Sequence, residues 1–217
     1  MPPDGETASL ALEPASGYSP RAALADLVDG AFRARRLPRR RGSEPLGWGW
    51  QAAMVALAGF VSGIDVYVRE PFRASDLPPG AEGWLPLLNV VGNPAIAILV
   101  SLAVWLLMIG GGRVISFGRY DARRLGSGLA FGWWAATLPI LGAIALGMAV
   151  GFASDTIAIV VAFLVTAHMI PSVAEACDLS IAQAFGVTIL GPLALILLVV
   201  LGLLAFGFSA KLLGMRP

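Results

Sequence analysis

The chain has 217 residues, of which 57% are hydrophobic and 13% charged, and its formal net charge is +1. A water-soluble domain carries about 25% charged residues, so this composition excludes an ordinary soluble domain and indicates a polytopic membrane protein. The near-neutral sum conceals an asymmetry, since seven of the fourteen arginines lie in the first 41 residues and four more lie in 113–124. The single cysteine, Cys177, excludes an internal disulfide bond.

The first 18 residues are rich in proline, glycine and small polar residues, and this composition predicts a disordered N-terminal tail. They lack the basic and apolar pattern of a signal peptide, so we expect the first span to direct insertion and to be retained. Residues 19–45 form a cytoplasmic, amphipathic and basic segment. Its helix is predicted to begin at Ser19 and Pro20, and its apolar residues recur at spacings of three and four: Leu24, Leu27, Val28, Ala31 and Phe32.

Arginines follow this apolar stripe, and Pro38 is predicted to end the helix. An amphipathic helix with a basic end suits a membrane surface, so the sequence marks Arg33, Arg35 and Arg36 as candidate contacts for anionic lipid or an acidic partner. The alternative is a helix packed on the cytoplasmic loops of the same chain. Residues 39–41 are three further arginines just before the first span, and their position is typical of a positive-inside signal rather than of a nucleic-acid patch.

Residues 46–208 are predicted to form the transmembrane domain, and 209–217 a short C-terminal tail. A helix needs about 20 residues to cross about 30 Å of hydrocarbon. Five apolar runs meet or approach this length: Leu46–Val68, Val90–Gly112, Gly128–Gly151, Thr156–Ala174 and Phe185–Phe208. The fold class is therefore an all-α polytopic bundle with five transmembrane helices. The fourth run is the weakest, and the alternative is four spans plus a re-entrant segment at 156–174.

The connector between the second and third runs sets the predicted orientation. It contains Arg113, Arg119, Arg123 and Arg124 against the single acid Asp121, and short arginine-rich loops stay on the cytoplasmic side. The N-terminus is then cytoplasmic, and the polar, proline-rich residues 69–85 lie outside. Five spans place the C-terminal tail outside as well, although its two basic residues favour the opposite side. The sequence marks Arg119, Arg123 and Arg124 as further candidate lipid or partner contacts.

Ionisable residues within a span are candidates for function, because an unpaired charge there costs a few kcal/mol or more. The candidate polar intramembrane residues are Asp65, expected in an interfacial or capping role, and His168, expected to be a hydrogen-bonded packing residue. We find no catalytic motif, no cofactor-binding motif and no zinc-ligand spacing in the sequence. Proline is expected to kink the third run at Pro139 and to kink or delay the fifth at Pro192.

The order of several motifs resembles bacterial members of the Yip1 family over residues 45–208. These motifs are the glycines at 110–112, Ser116–Phe117, the segment FGWWAATLP at Phe131–Pro139, and Asp178–Ser180 followed by Ala182 and Ala184. The resemblance implies five spans and a cytoplasmic N-terminal region. Eukaryotic members of the family organise vesicle traffic and bind small GTPases and one another. Their Asp-Leu-Tyr-Gly-Pro motif is absent from this chain, so a Rab-type partner is not implied.

These features predict a non-enzymatic integral membrane protein that acts as a scaffold or membrane-organising protein. Its expected partners are the lipid bilayer and other membrane proteins or further copies of itself, without nucleic acid and with any small-molecule substrate unknown. The alternatives are a small transporter or channel component with a polar path past Asp65 and His168, and an accessory subunit of a larger membrane complex. Fourteen arginines against one lysine indicate a GC-rich coding sequence, which favours a bacterial inner membrane.

Overall fold

The computed structural model describes residues 18–33, 38, 45–69, 71–116, 119–194, 196, 197, 200 and 201. The regular elements in these residues are all helical, which confirms the predicted all-α class. The helices are α1 (Pro20–Arg33), α2 (Trp48–Ser62), α3 (Ile64–Arg69), α4 (Asn93–Ile115), α5 (Ala122–Val150), α6 (Ser154–Ala176) and α7 (Ile181–Phe185). Short turns precede α4 at Ala74–Asp76, Glu82–Trp84, Leu85–Leu87 and Leu88–Gly92, and a π-helical turn, Gly186–Leu190, follows α7.

Three helical segments of the described chain are long and apolar enough to cross a membrane: Glu82–Ile115, Ala122–Val150 and Ser154–Ala176. They contain α4, α5 and α6, and they match the second, third and fourth predicted spans. The fourth, the weakest by sequence, is a single uninterrupted helix of 23 residues. Pro139 and Pro171 lie inside α5 and α6, and both helices continue through them.

Helix α5 is the centre of the bundle. Its apolar stretch is 61% buried, against 22% for α4 and 28% for α6, and α1, α2, α4 and α6 all pack against it. Its first half supplies the largest run of buried residues in the described chain, Leu125–Thr137. The outer helices therefore expose most of their apolar surface, as helices surrounded by lipid do.

Glycines allow α6 to lie directly against α5. The turn between the two helices is made at Gly151, whose φ of 79° lies in the left-handed region that glycine adopts without strain. A Cβ atom on Gly132 would lie 2.4 Å from the Cα atom of Met169, and one on Gly128 would lie 3.0 Å from the Cα atom of Val173. These are backbone contacts, so any side chain at either position would separate the two helices.

The first predicted span, Leu46–Val68, is divided in the structure. Helix α2 ends at Ser62 and α3 begins at Ile64, with the single residue Gly63 between them. The Gly63 N–H donates to the carbonyl of Gly59 at 3.1 Å, so the helical path continues across the interruption. The two helices together cover 22 residues, Trp48–Arg69.

The last helical segment begins earlier than predicted. The sequence placed its start at Phe185 and treated 175–184 as a connector, whereas α7 begins at Ile181. Ser180 caps this helix: its hydroxyl accepts from the Gln183 N–H at 3.3 Å, and the Gln183 side chain accepts from the Ser180 N–H at 3.0 Å. The helix does not start late at Pro192, because the π-helical turn Gly186–Leu190 leads into that proline. Residues 202–217, which include the end of the predicted span and the tail 209–217, lie outside the described residues.

Helix α1 begins where the sequence predicted, with the Ser19 hydroxyl accepting a hydrogen bond from the Ala22 N–H at 3.2 Å. Tyr18, which the sequence assigned to a disordered tail, is buried, so that boundary is wrong at this residue. Its hydroxyl donates to the Asp26 carboxylate at 2.9 Å, and its ring packs edge-to-face on Trp50 and Phe131. Residues 1–17 lie outside the described residues.

Candidate functional site

The structure places Asp65 in an ion pair at the end of the bundle where α5 turns into α6. Asp65 lies in the first turn of α3, is buried, and its Oδ1 atom lies 2.8 Å from the Nε atom of Arg69. Arg69 also donates from Nη1 to the backbone carbonyl of Phe152, in the α5–α6 turn. The pair therefore joins α3 to this turn, and the interfacial or capping role expected for Asp65 stays a prediction.

His168 lies in the second half of α6, away from the α5–α6 turn, and connects that helix to α1. Its Nδ1 atom is 2.7 Å from the carbonyl oxygen of Leu164, and its Nε2 atom is 3.3 Å from the carbonyl oxygen of Ala31. A carbonyl oxygen only accepts, so a neutral imidazole satisfies one of these contacts and an imidazolium satisfies both. His168 thus contacts backbone carbonyls of α6 and α1, and its expected role as a packing residue stays a prediction. Asp65 and His168 are not brought together, since they belong to opposite halves of the bundle.

Gln51, which the sequence did not mark, is the centre of a third group of polar contacts between segments. This side chain is fully buried between α2 and α5, and its Nε2 atom donates to the carbonyls of Leu46 at 2.7 Å and Arg123 at 3.2 Å. The Leu46 carbonyl also accepts from Arg123 Nε at 3.1 Å, and the Leu46 N–H donates to the Ser127 hydroxyl at 3.2 Å. A lone amide in an otherwise apolar run, beside Trp48 and Trp50, was the available signal.

Two tryptophans also connect neighbouring helices through hydrogen bonds. The indole N–H of Trp105 donates to the carbonyl of Gly126 at 3.2 Å and connects α4 to α5. The indole N–H of Trp134 donates to the carbonyl of Ala23 at 2.8 Å and connects α5 to α1. Buried indoles require such partners, and here both partners are backbone carbonyls of neighbouring helices.

The predicted basic contact residues differ in their surroundings in the structure. Arg119, Arg123 and Arg124 are exposed, as is Arg33 at the end of α1, and Arg123 also donates from its Nε atom to the Leu46 carbonyl. Arg35 and Arg36 lie outside the described residues. Among the described residues no ion pair engages Arg119 or Arg124, so the two guanidinium groups of the connector remain available to an anionic ligand.

Arg119 and Arg124 line a cavity of about 190 Å³ together with Tyr120, Asp121 and Cys177. Arg119 and Tyr120 also line a second cleft of about 350 Å³, whose other walls come from the end of α4 and the start of the last helix: Ile115, Ser116, Gln183, Gly186 and Val187. The connector therefore presents a polar, basic cavity beside an apolar groove.

Cys177 ends α6 within this basic cavity. Burial raises the pKa of its thiol to about 11, an effect that the positive charge of Arg124 opposes and the negative charge of Asp121 reinforces. The thiol is therefore protonated at neutral pH and is a poor nucleophile. In the described part of the chain, no group of three or more His, Cys, Asp or Glu side chains is placed to hold a metal ion.

These observations define the class of protein. The chain is an all-helical membrane protein in which several of the described polar side chains connect helices, with a basic surface on the connector between α4 and α5. Comparison of the sequence with protein-family models and with characterised proteins, and of the fold with solved structures, gives no match.

Proposed function

We propose that this protein is a non-enzymatic integral membrane protein of the Yip1-like kind, which organises membranes or membrane proteins through helix association and a basic cytoplasmic face. The proposal includes five transmembrane spans, a cytoplasmic N-terminus and a bacterial inner membrane. The family likeness depends on the sequence motifs between Gly110 and Ala184.

One observation carries the proposal: polar side chains within the bundle are used for joints between segments. Gln51, Arg123, Trp105, Trp134 and His168 each contact a backbone carbonyl of a neighbouring segment. A side chain committed to such a bond holds the helices in register, since leaving its partner buried and unsatisfied costs about 1–3 kcal/mol. This use of polar groups supports a protein that works through its shape and its surfaces.

The five-span arrangement is supported by lengths and charges. Helices α2 and α3 cover 22 residues, α4 and α6 have 23 each, and α5 has 29. Helix α7 begins at Ile181 and supplies the start of the fifth span. The arginine-rich connector joins the end of α4 to the start of α5, and such connectors stay in the cytoplasm. The two helices therefore form a hairpin whose other two ends lie on the outer side of the membrane.

The contact surface in this proposal is the basic cavity of the α4–α5 connector. The two arginines that line it, Arg119 and Arg124, are exposed. Near an anionic membrane surface, each arginine contributes about 1 kcal/mol of binding free energy. Acidic segments of membrane-protein partners present the same kind of charge. Arg123 is not part of this contact surface, because it does not line the cavity and its Nε atom donates to the Leu46 carbonyl.

The test compares two variants after purification in mild detergent with mass spectrometry of the associated proteins and lipids. Arg119→Gln with Arg124→Gln removes the exposed charges of the connector, and Arg73→Gln removes an exposed arginine on the loop between α3 and α4. We expect the double variant to lose co-purifying acidic partners or anionic lipid, and the single variant to retain them. Equal recovery with both variants would contradict the proposed contact surface.

The transport alternative is tested in the same preparation. A carrier or channel reconstituted in liposomes gives a flux that depends on substrate or protons, whereas a scaffold gives none. We expect no such flux. A flux that is lost in His168→Gln or Asp65→Asn would replace the scaffold proposal with transport past those residues.

A further inference from the structure

Helix α1 carries three of its four bulky apolar residues on the face turned away from the protein, and the fourth, Leu27, is partly buried against the core. The residues buried against the bundle are Ala23, Asp26 and Gly30. The opposite face exposes Leu24 by 62%, Val28 by 55% and Phe32 by 87%. A helix that packs in water places its large apolar side chains inward, so the orientation of α1 is the reverse of that expected in water. We call Leu24, Val28 and Phe32 the outer stripe.

The contacts of α1 show that it runs across the bundle rather than along it. Its Ala23 carbonyl meets Trp134 on α5, and its Ala31 carbonyl meets His168 on α6. Because Gly132 faces Met169 across the α5–α6 pair, Trp134 and His168 lie at nearly the same level along the helix axes. Between its two contacts α1 advances about 12 Å, at about 1.5 Å for each residue. Most of this advance is therefore sideways, from α5 to α6.

The level of α1 lies inside the bilayer thickness. From Trp134 to the far end of α5 at Val150 is about 24 Å, and from His168 to the start of α6 at Ser154 is about 21 Å, at the helical rise of about 1.5 Å. The hydrocarbon layer is about 30 Å thick. With the α5–α6 turn at one boundary, α1 sits about 6–9 Å within the other, which is the depth at which interfacial amphipathic helices lie.

We propose that α1 is an in-plane membrane helix, with its small face docked on α5 and α6 and its outer stripe inserted between the lipids of the leaflet at that end of the bundle. The partner is thus the boundary between headgroups and acyl chains. The stripe continues the lipid-facing surface of the neighbouring helices, where Phe163 and Ile159 on α6 are also largely exposed. Arg21 and Arg33, at the two ends of α1, are exposed and can reach phosphate groups above the stripe.

This inference deepens the proposed function, because it rests on the protein being embedded in a membrane, but it does not depend on the connector arginines. A failure of the arginine test would leave α1 in the bilayer, and a failure of the depth test below would leave the connector proposal intact. The two outcomes are therefore separable.

The test measures the depth of single labels in the full-length protein reconstituted into phosphatidylcholine–phosphatidylglycerol vesicles. Cys177→Ser removes the native thiol, and Val28→Cys or Phe32→Cys carries an environment-sensitive fluorophore on an exposed position that no fold contact requires. Leu99→Cys on α4, also exposed, reports the apolar surface of a span, and Ser75→Cys reports the exposed loop. Quenching by nitroxides attached near the lipid headgroup or near the chain end is compared with quenching by aqueous iodide.

We expect Val28 and Phe32 to be quenched most by the headgroup-side nitroxide, and several-fold less by iodide than Ser75. Strong iodide quenching at Val28 and Phe32, with weak nitroxide quenching, would overturn the proposal and place the stripe in water. Protection from both quenchers that is relieved when the vesicles are diluted to one chain each would also overturn it, and would assign the stripe to contact with a second copy.

Discussion

At the scale of single residues, Gln51 shows what a buried polar group does in this bundle. Its amide donates to carbonyls on both sides of the α2–α5 contact, at Leu46 and Arg123. Asp65 and His168 stand out in the sequence because charge is rare inside membranes, whereas an uncharged amide does not. Composition marks which residues are polar, whereas only the helix packing determines which of them meet a carbonyl on another helix.

Replacing Gln51 tests this joint. We expect Gln51→Leu, which keeps the volume and removes both donors, to lower the free energy of unfolding by about 0.5–1.5 kcal/mol, because two hydrogen bonds are lost while the Leu46 carbonyl keeps its bond from Arg123 Nε. The measurement is unfolding by sodium dodecyl sulfate in mixed micelles. Ser62→Ala is the control, since the Ser62 hydroxyl bonds only within its own helix, to Ala58. A loss no larger than that of the control would show that the amide adds nothing to the packing.

The thiol of Cys177 gives a residue-scale prediction that depends on pH. Burial raises its pKa from an ordinary value of 9.0 to about 11, so the reactive thiolate forms only as the pH rises toward 11. Two pKa units correspond to about a hundred-fold less thiolate at pH 7–8, and we expect alkylation by iodoacetamide to be slower by about that factor than in the unfolded chain.

Two charge variants fix the cause of this shift. Arg124→Gln removes a charge that lowers the pKa, and should move the alkylation profile to higher pH, whereas Asp121→Asn removes a charge that raises it and should move the profile lower. Both are read from the pH dependence of the alkylation rate. A midpoint near that of an ordinary cysteine in the parent protein, or shifts of the same sign in both variants, would be incompatible with the buried site described here.

At the scale of elements, glycines set the distances between helices. Gly132 and Gly142 lie on the same helix, yet a Cβ atom at Gly132 would meet the backbone of Met169, and one at Gly142 would meet nothing within 4 Å. We expect Gly132→Ala to destabilise the protein by about 1–3 kcal/mol through forced separation of α5 and α6. Gly142→Ala should be neutral or stabilise it by up to about 1 kcal/mol, since alanine favours helix. Equal effects in a detergent unfolding series would contradict the close packing.

Several elements followed from the sequence and others did not. The runs that became α4, α5 and α6 were predictable because uninterrupted apolar length is a local property. The start of α7 at Ile181 was not predicted, because the polar composition of 175–184 is typical of a connector. The capping box formed by Ser180 and Gln183 was the available signal. The break at Gly63 and the contact between Gly111 and Gly191 depend on which helices meet, and sequence periodicity carries no such information.

The two faces of helix α1 have different surroundings. The apolar stripe was visible in the sequence, and both a lipid surface and the chain's own loops were considered as its partner. The structure divides the helix: the small face with Ala23 and Gly30 packs on the protein, and Leu24, Val28 and Phe32 face away from it. Spacing identified the stripe, while the direction in which it points was fixed by Trp134 and His168.

At the scale of the whole molecule, we propose that α4 and α5 form a membrane-crossing hairpin with a cytoplasmic, arginine-rich connector. Single cysteines placed in the Cys177→Ser background test this directly. Ser75 precedes α4, Arg113 lies in the last turn of α4, and Ala153 lies in the α5–α6 turn, and all three are exposed. Arg113→Cys leaves three arginines in the connector, so the orientation signal is largely kept.

The deciding measurement is labelling of these three variants by a membrane-impermeant maleimide in intact and in permeabilised cells. We expect cysteines at positions 75 and 153 to react in intact cells, and the cysteine at position 113 to react only after permeabilisation. Labelling of position 113 in intact cells, or the same accessibility at all three positions, would contradict the crossing hairpin and the proposals built on it.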